Sequence, residues 1–249
     1  IDAARAWAEL PPLAETPQEP EWHPEGDAWV HTLMPVDEAA RITKDEQIDE
    51  DTSLTILLSA LCHDLGKPAT TETKDGRVKS HGHEPAGKEL TEKFLATLGA
   101  PGLVRDKVGH LVADHLSPTL LYINETVRQE SVSDGVIRKL AGRISPATIQ
   151  ELVLVAQSDH FGRGPFSDPE VPEQLLLNLY EYPAGEWLLK RARALEVEKS
   201  KPADLLRGRD LLNLGLAPGK QLGEIIKLAN QLRDEKGLGR EAVLQAVYE

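Results

Sequence analysis

A histidine and an aspartate stand side by side at His63-Asp64, after an apolar run at residues 54–61 and before the turn-forming residues 65–68. Imidazole nitrogens and carboxylate oxygens are both ligands of divalent metal ions. The apolar run predicts a buried segment, so the two polar side chains are fixed at its end instead of lying free in solvent. This dipeptide therefore indicates a metal site.

Side chains of the same chemistry are scattered along the rest of the chain. We predict that His31, His63, Asp64 and Asp159 converge on one divalent cation and leave positions open for water and substrate. A second cation would share Asp64 as a bridge and use His83 and His115. Two cations can hold both the attacking and the leaving oxygen of a phosphate ester, and hydrolysis of such an ester is the chemistry we expect.

Neighbouring residues of a helix project about 100° apart, so His63 and Asp64 can share a metal only near a helix end. Gly66 and Pro68 predict such an end. Asp64 would hold the metal and orient water. Lys67 and Arg163 suit a substrate phosphate, as a point charge and as a bidentate fork.

Each of these residues also has a simpler interpretation. His31 alone could be an ordinary core or surface histidine, Asp159 could cap a helix, and Lys67 could interact with a helix dipole. The remaining histidines of the central region are expected outside the metal site, as exposed or supporting groups: His81, His110 and His160.

With 249 residues and 40% apolar content, the chain can build one large or two small domains. A single cysteine, Cys62, excludes an internal disulfide framework and a cysteine-rich zinc site, and it favours the reducing cytoplasm. We find no apolar stretch of about 18 residues and no secretory leader, so we expect no membrane association.

The net charge of −13 is distributed unevenly: residues 1–60 hold 14 acidic and 3 basic side chains, whereas residues 190–249 hold 9 acidic and 12 basic ones. An acidic protein repels polynucleotides at long range, yet a basic tail can still contact phosphate locally. The alternative is a solvated helix face. The cations concerned are Lys190, Arg191, Arg193, Lys199, Lys201, Arg207 and Arg209.

Spacing and breakers predict an all-α chain with a small β-hairpin at residues 70–80, centred on Asp75-Gly76 and suited to act as a lid. Prolines make residues 1–24 an extended acidic lead-in. Asp27 should cap a helix at 28–42 that Pro35 kinks or shortens, and Thr52 or Ser53 should cap the next. Further helices are predicted at 84–98, 101–115, 133–142, 146–159, 172–181, 184–198, 205–214, 219–232 and from 240.

The motifs together resemble the HD-domain metal-dependent phosphohydrolases. More narrowly, they resemble the body and tail of bacterial tRNA nucleotidyltransferases of the CCA-adding type, whose C-terminal half carries an HD domain. The resemblance covers most of residues 20–245, and the matching stretches are 22–27, 31–34, 61–67, 81–87 and 205–211, with Gly215, Pro218, Gly219 and Gly223.

The resemblance implies an HD-domain helical bundle at residues 25–165 and a helical C-terminal extension at 166–249. It also implies hydrolysis of nucleotide or RNA-end phosphate esters, as a 2′,3′-cyclic phosphodiesterase, 2′-nucleotidase or phosphatase. One or two ions would support it, drawn from Ni, Mn, Mg, Fe or Zn. The alternative is a non-catalytic module that positions RNA, with tRNA contacting the basic C-terminal region.

Two features depart from these relatives. The nucleotidyl-transferring head has no counterpart in the sequence, so the chain by itself should not add nucleotides. Asp114-His115 also replaces the His-His pair usual in dinuclear HD enzymes.

Overall fold

The computed structural model describes residues 11–164 and 181–248. The helix predicted at 172–181 lies outside these residues, apart from its last position. After a short 3-10 helix, Pro11–Glu15, the described elements are α-helices and one hairpin, which confirms the all-α prediction. The helices before residue 165 are α1 (Ala28–Asp45), α2 (Glu50–Cys62), α3 (Lys67–Thr70), α4 (His83–Thr97), α5 (Gly102–Asp114), α6 (Ser117–Thr126), α7 (Asp134–Arg143) and α8 (Ile149–Phe161). Those after residue 180 are α9 (Pro183–Ala194), α10 (Gly208–Asn213), α11 (Lys220–Lys236) and α12 (Arg240–Tyr248).

Side-chain caps fix the start of the helices that carry the site. The Asp27 carboxylate accepts hydrogen bonds from the amides of Trp29 and Val30, as predicted. Helix α2 begins earlier than expected, because Asp49 and not Thr52 or Ser53 caps it by accepting from the Thr52 amide. Two acidic residues in its first turn, Glu50 and Asp51, further favour this start by complementing the helix dipole.

The predicted hairpin is present as β1 (Glu72–Lys74) and β2 (Arg77–Lys79), paired antiparallel with Thr73 opposite Val78. Its two turn residues, Asp75 and Gly76, have φ of 54° and 76°. Positive φ at both central positions matches the right-handed twist of the strands, which is why an Asp-Gly pair favours this turn.

Two local features differ from the prediction. Helix α1 runs through Pro35 to Asp45, so the proline does not shorten the helix, and its ring packs against Gly162 at the end of α8. Helix α6, which begins at Ser117, was not predicted. In the fold Pro118 lies in the first turn of that helix, where its missing amide costs nothing.

Three apolar clusters organise the described residues. The largest joins α1, α2, α7, α8 and α9, and the second joins the start of α1 and the end of α2 with α4 and α5. Leu13 of the lead-in is completely buried in the second cluster, so the described part of the lead-in packs on the bundle. The third, centred on Leu211 and Ala229, belongs to the C-terminal helices.

None of the helices in the described ranges combines the length and the apolar character that a membrane crossing requires.

Candidate metal centre

Three helices deliver the four predicted ligands of the first cation to one buried point. Helix α1 brings His31, the end of α2 brings His63 and Asp64, and the last turns of α8 bring Asp159. His31 Nε2 lies 3.1 Å from Asp159 Oδ1 and 3.2 Å from His63 Nε2, and His63 Nε2 lies 3.2 Å from Asp64 Oδ2. Residues 128 positions apart in sequence are thus in direct contact.

The predicted ligands of a second cation form an adjoining group. His83 Nε2 lies 3.5 Å from Asp64 Oδ1, and one ligand atom each of Asp64, His83 and His115 lies within 4.8 Å of the other two. The ring centroids of His115 are 5.3 Å from those of both His63 and His83. Asp64 belongs to both groups, in the bridging position that the sequence indicates.

Backbone carbonyls orient three of the four clustered imidazoles. The Nδ1 atoms of His63, His83 and His115 lie 2.7, 2.8 and 2.7 Å from the carbonyl oxygens of Ala60, Ser80 and Val112, each three residues earlier. Because a carbonyl can only accept, Nδ1 carries the proton in each neutral ring. The lone pair therefore lies on Nε2, and this is the arrangement that metal-binding histidines show.

Close backbone packing fixes the turn that holds Asp64. A Cβ at Gly66 would overlap the carbonyl oxygen of His83 and lie 2.7 Å from the amide nitrogen of Gly87. The φ of Gly66 is −79°, so a glycine is required here by contact and not by backbone conformation. This contact places the end of α2 directly on the first turn of α4.

The donor set fits a divalent cation. Two ligands held about 2.1 Å from an ion at a right angle lie about 3 Å apart. His31 Nε2 and His63 Nε2 lie 3.2 Å apart, and each lies 3.1–3.8 Å from Asp64 Oδ2 and from Asp159 Oδ1. Asp64 Oδ2 is buried without a hydrogen bond of regular geometry, and the ionisable side chains of His63 and Lys67 lie within 3.2 Å of it.

Lys67 and Arg163, predicted to bind a substrate phosphate, contact the carboxylates of Asp64 and Asp159 in the structure. Lys67 Nζ lies 2.7 Å from Asp64 Oδ2 and also donates a hydrogen bond to Gln18 Oε1. Arg163 approaches Asp159 Oδ2 only to 3.5 Å, and its buried Nε has no hydrogen-bond partner. Both line a cavity of about 480 Å³ that opens onto His63, Asp64 and Asp159. Arg163 is therefore the freer of the two for an anionic substrate.

Burial and charge act in opposite directions on the ionisable ligands. Burial opposes protonation of His31, but contacts with Asp159 and Glu25 raise its pKa to about 9. Burial alone would raise the pKa of Asp64 and Asp159, yet His63 and Lys67 hold the first, and Arg163 and His31 the second, well below the ordinary value. Both carboxylates are therefore ionised.

His115, unlike His31, has a lowered pKa and is neutral. Burial lowers its pKa to about 3, with smaller contributions in the same direction from the neighbouring His63 and His83. Its ring therefore presents an unprotonated Nε2 to the site at neutral pH.

The sequence pattern missed three residues of this centre. Glu25 Oε1 lies 2.7 Å from His31 Nδ1 and 2.8 Å from His23 Nδ1, and its side chain is buried. Gln18 holds Lys67. Stretch 22–27 contributes to the family resemblance and so was the available signal, but nothing in it indicates which partner Glu25 contacts.

The other histidines lie outside the cluster of ligands. His81 is exposed at the cavity rim, His110 is half-buried on α5, and the His160 ring packs against Phe161 and Tyr182. Asp114 is turned away as well: it forms an ion pair with Arg143 and accepts a hydrogen bond from Ser117. His115 alone of that pair reaches the centre.

A bundle of helices with a buried His/Asp cluster at its helix ends defines a class of metal-binding helical domains. Comparison with protein families finds the HD domain at residues 29–162, more than half of the chain. The chain belongs to the HD-domain family. The match runs from the first helix to the end of α8 and includes all six predicted ligands, and membership indicates a metal-dependent hydrolase of the phosphohydrolase type.

Proposed function

We propose that this protein hydrolyses nucleotide or RNA-end phosphate esters with the help of one or two divalent cations. Its activity would be that of a 2′,3′-cyclic phosphodiesterase, a 2′-nucleotidase or a phosphatase. The observation that carries the proposal is the convergence of His31, His63, Asp64 and Asp159 beside two cationic side chains at one cavity. Three of these four ligands, His63, Asp64 and Asp159, line the same cavity as the two cationic side chains.

The residues present divide the chemistry between them. His31, His63, Asp64 and Asp159 would hold one cation, and Asp64, His83 and His115 a second. A divalent cation supplies an activated water and neutralises charge on the phosphoryl oxygens. Arg163, whose Nε has no partner, binds the phosphate through its planar fork of N–H donors. Lys67 adds positive charge at Asp64 and holds that carboxylate in place.

Trp22 favours a substrate that carries a nucleobase. It lies at the rim of the cavity with 46% of its surface exposed, on the segment that also contains His23. Aromatic side chains at such positions stack on bases of any sequence. The resemblance of stretches 22–27, 61–67 and 205–211 to the tRNA nucleotidyltransferase body and tail also supports a nucleotide or an RNA end.

The proposal is tested by adding Mn²⁺ or Ni²⁺ and the generic diester bis-p-nitrophenyl phosphate to the parent protein and to Asp64→Ala. We expect turnover in the parent and a loss of nearly all activity in the variant, because the variant lacks the ligand shared by both groups. Far-UV circular dichroism should show the same helical content for both proteins. Equal rates in the two proteins would contradict the proposal. If only the parent is active, its rates with 2′,3′-cyclic nucleotides and with 2′-nucleotides distinguish the substrate classes.

The exposed lysines of the C-terminal region support a second candidate, a module that positions RNA for another enzyme. Lys190, Lys199 and Lys201 are exposed, as are Arg207 and Arg209. Arg191 instead forms ion pairs with Glu125 and Asp134, and Arg193 forms one with Glu198. Binding of tRNA without turnover would favour this candidate. We also propose that the chain divides at residues 24 and 165 into the lead-in, the HD domain and the C-terminal extension.

A further inference from the structure

Glu25 contacts more groups of the centre than any role as a surface acid would explain. Its side chain is about 1% exposed, and one oxygen, Oε1, lies within 2.8 Å of both the His23 and the His31 Nδ1 atoms. The other oxygen, Oε2, accepts a hydrogen bond from the Gly164 amide, 139 residues away in sequence. One carboxylate thus joins the lead-in, α1 and the segment that follows Arg163.

His31 is the one clustered histidine whose Nδ1 faces a side chain, Glu25, instead of a backbone carbonyl. His63, His83 and His115 donate from Nδ1 to a carbonyl three residues earlier. The carbonyl three residues before His31 belongs to Ala28 and accepts from the Thr32 hydroxyl instead. Among the described residues, His31 Nδ1 makes no regular hydrogen bond, and Glu25 is its ion-pair partner on that side.

We propose that Glu25 is a positioning residue that holds His31 with Nε2 toward the metal and turns His23 Nε2 toward the substrate. This inference rests on the proposed metal site. The groups that orient a metal-binding imidazole typically change metal affinity by 10–100-fold when they are removed. His23 has its Nδ1 on Glu25 and lines the cavity beside Asp159 and Arg163, so its second nitrogen is available to a hydroxyl or phosphate group of the substrate.

Glu84 provides a matched control for Glu25. It is also a glutamate beside a ligand histidine, since Glu84 Oε2 lies 3.4 Å from His83 Nδ1. That Nδ1 already donates to the Ser80 carbonyl at 2.8 Å, so His83 does not need the carboxylate. A general effect of lost negative charge should weaken metal binding in both Glu25→Gln and Glu84→Gln, whereas a positioning effect should weaken it in Glu25→Gln alone.

The experiment measures Mn²⁺ affinity by electron paramagnetic resonance in the parent, Glu25→Gln and Glu84→Gln, with the melting temperature of each metal-free protein. We expect the dissociation constant to rise about 10–100-fold in Glu25→Gln and to stay within about threefold in Glu84→Gln. Should Glu25→Gln not fold, Glu25→Asp replaces it, because it keeps the charge but withdraws the carboxylate from the rings, and the same loss is expected.

His23→Asn separates the two roles of Glu25. The asparagine amide can still donate to Glu25 in place of Nδ1, but nothing replaces Nε2. Metal affinity should stay within about threefold of the parent, while kcat/KM for the diester falls at least tenfold. Unchanged kcat/KM overturns the substrate part of the inference.

The possible failures are distinguishable. Parent-like Mn²⁺ affinity in a folded Glu25 variant overturns the positioning role and leaves the proposed function standing. A parent that binds no metal overturns the proposed function and, with it, this inference.

Discussion

At the scale of single residues, the sequence predicts the side chains that cluster at the candidate metal centre, but it does not predict the residues that support them. His63-Asp64 at the end of an apolar run predicts a metal site, because two adjacent donors are useful together only at a helix end. Glu25 follows five prolines of the lead-in and has no periodic relation to any helix. Its contact with His31 depends on how the lead-in folds back, and local spacing carries no information on that.

Metal removal should lower stability if the buried ligands bind a cation. A ligand at 100 times its dissociation constant stabilises the native state by about 2.7 kcal/mol. For a chain of this length, that corresponds to a rise in Tm of about 5–10 °C. We therefore expect saturating Mn²⁺ to raise the Tm of the parent and EDTA to reverse it, measured by differential scanning calorimetry. Asp64→Ala should show almost no shift, and a similar shift in both proteins would argue against the site.

Arg163 should act on substrate rather than on metal. Its guanidinium is 3.5 Å from Asp159, too far for a strong hydrogen bond, and its Nε faces no partner. Arg163→Lys keeps the positive charge but loses the bidentate fork. We expect kcat/KM for the diester to fall at least tenfold while Mn²⁺ affinity changes by less than about threefold. A larger change in metal affinity would instead assign Arg163 to the support of Asp159.

At the scale of elements, the sequence predicts where most helices are but not why their ends are placed as they are. The hairpin follows from Asp75-Gly76, since few other pairs adopt positive φ twice. The continuity of α1 through Pro35 could not be inferred from local spacing, and in the fold the proline ring lies against Gly162, the residue that caps the end of α8. Helix α6 was not predicted. The pair Ser117-Pro118 lies at its start, and such a pair is found at helix starts as well as in breaks.

Gly66 is where element packing and the metal centre meet. Because an added Cβ would overlap the His83 carbonyl, Gly66→Ala must displace either the turn after Asp64 or the start of α4. Overpacking of this kind typically costs about 1–3 kcal/mol, so we expect Tm to fall by several degrees and Mn²⁺ affinity to fall with it. Gly142→Ala is the control: no atom lies near its Cβ position in α7, and the change should be neutral or slightly stabilising. Parent-like Tm and affinity in Gly66→Ala would show that the turn is not rigid.

At the scale of the whole molecule, charge separates the two ends of the chain, with the acidic excess in residues 1–60 and the basic excess in 190–249. The C-terminal helices have their own apolar cluster, and they pack on the rest through α7 and α11, where Gly135 lies against the Asp234 backbone. Composition predicts a basic tail but not this contact, which needs the absence of a side chain at one position.

Substitution of exposed lysines in the C-terminal region tests whether the protein also positions RNA or only hydrolyses phosphate esters. If Lys199 and Lys201 contact phosphates, Lys199→Glu/Lys201→Glu should weaken tRNA binding at least tenfold. It should also reduce the slope of log K against log[salt] by about 2, since each lost contact removes about one unit. Hydrolysis of bis-p-nitrophenyl phosphate should stay at the parent rate, because neither lysine lines the cavity of the metal centre.

The matched control reverses two exposed lysines of the helical bundle, Lys44→Glu and Lys93→Glu, and so changes the net charge by the same amount. A purely long-range effect of net charge would weaken RNA binding equally in both double variants. Loss confined to the tail variant would locate the RNA contact there. Equal binding in the parent and both variants would leave the tail as a solvated surface and hydrolysis of small phosphate esters as the function that the centre supports.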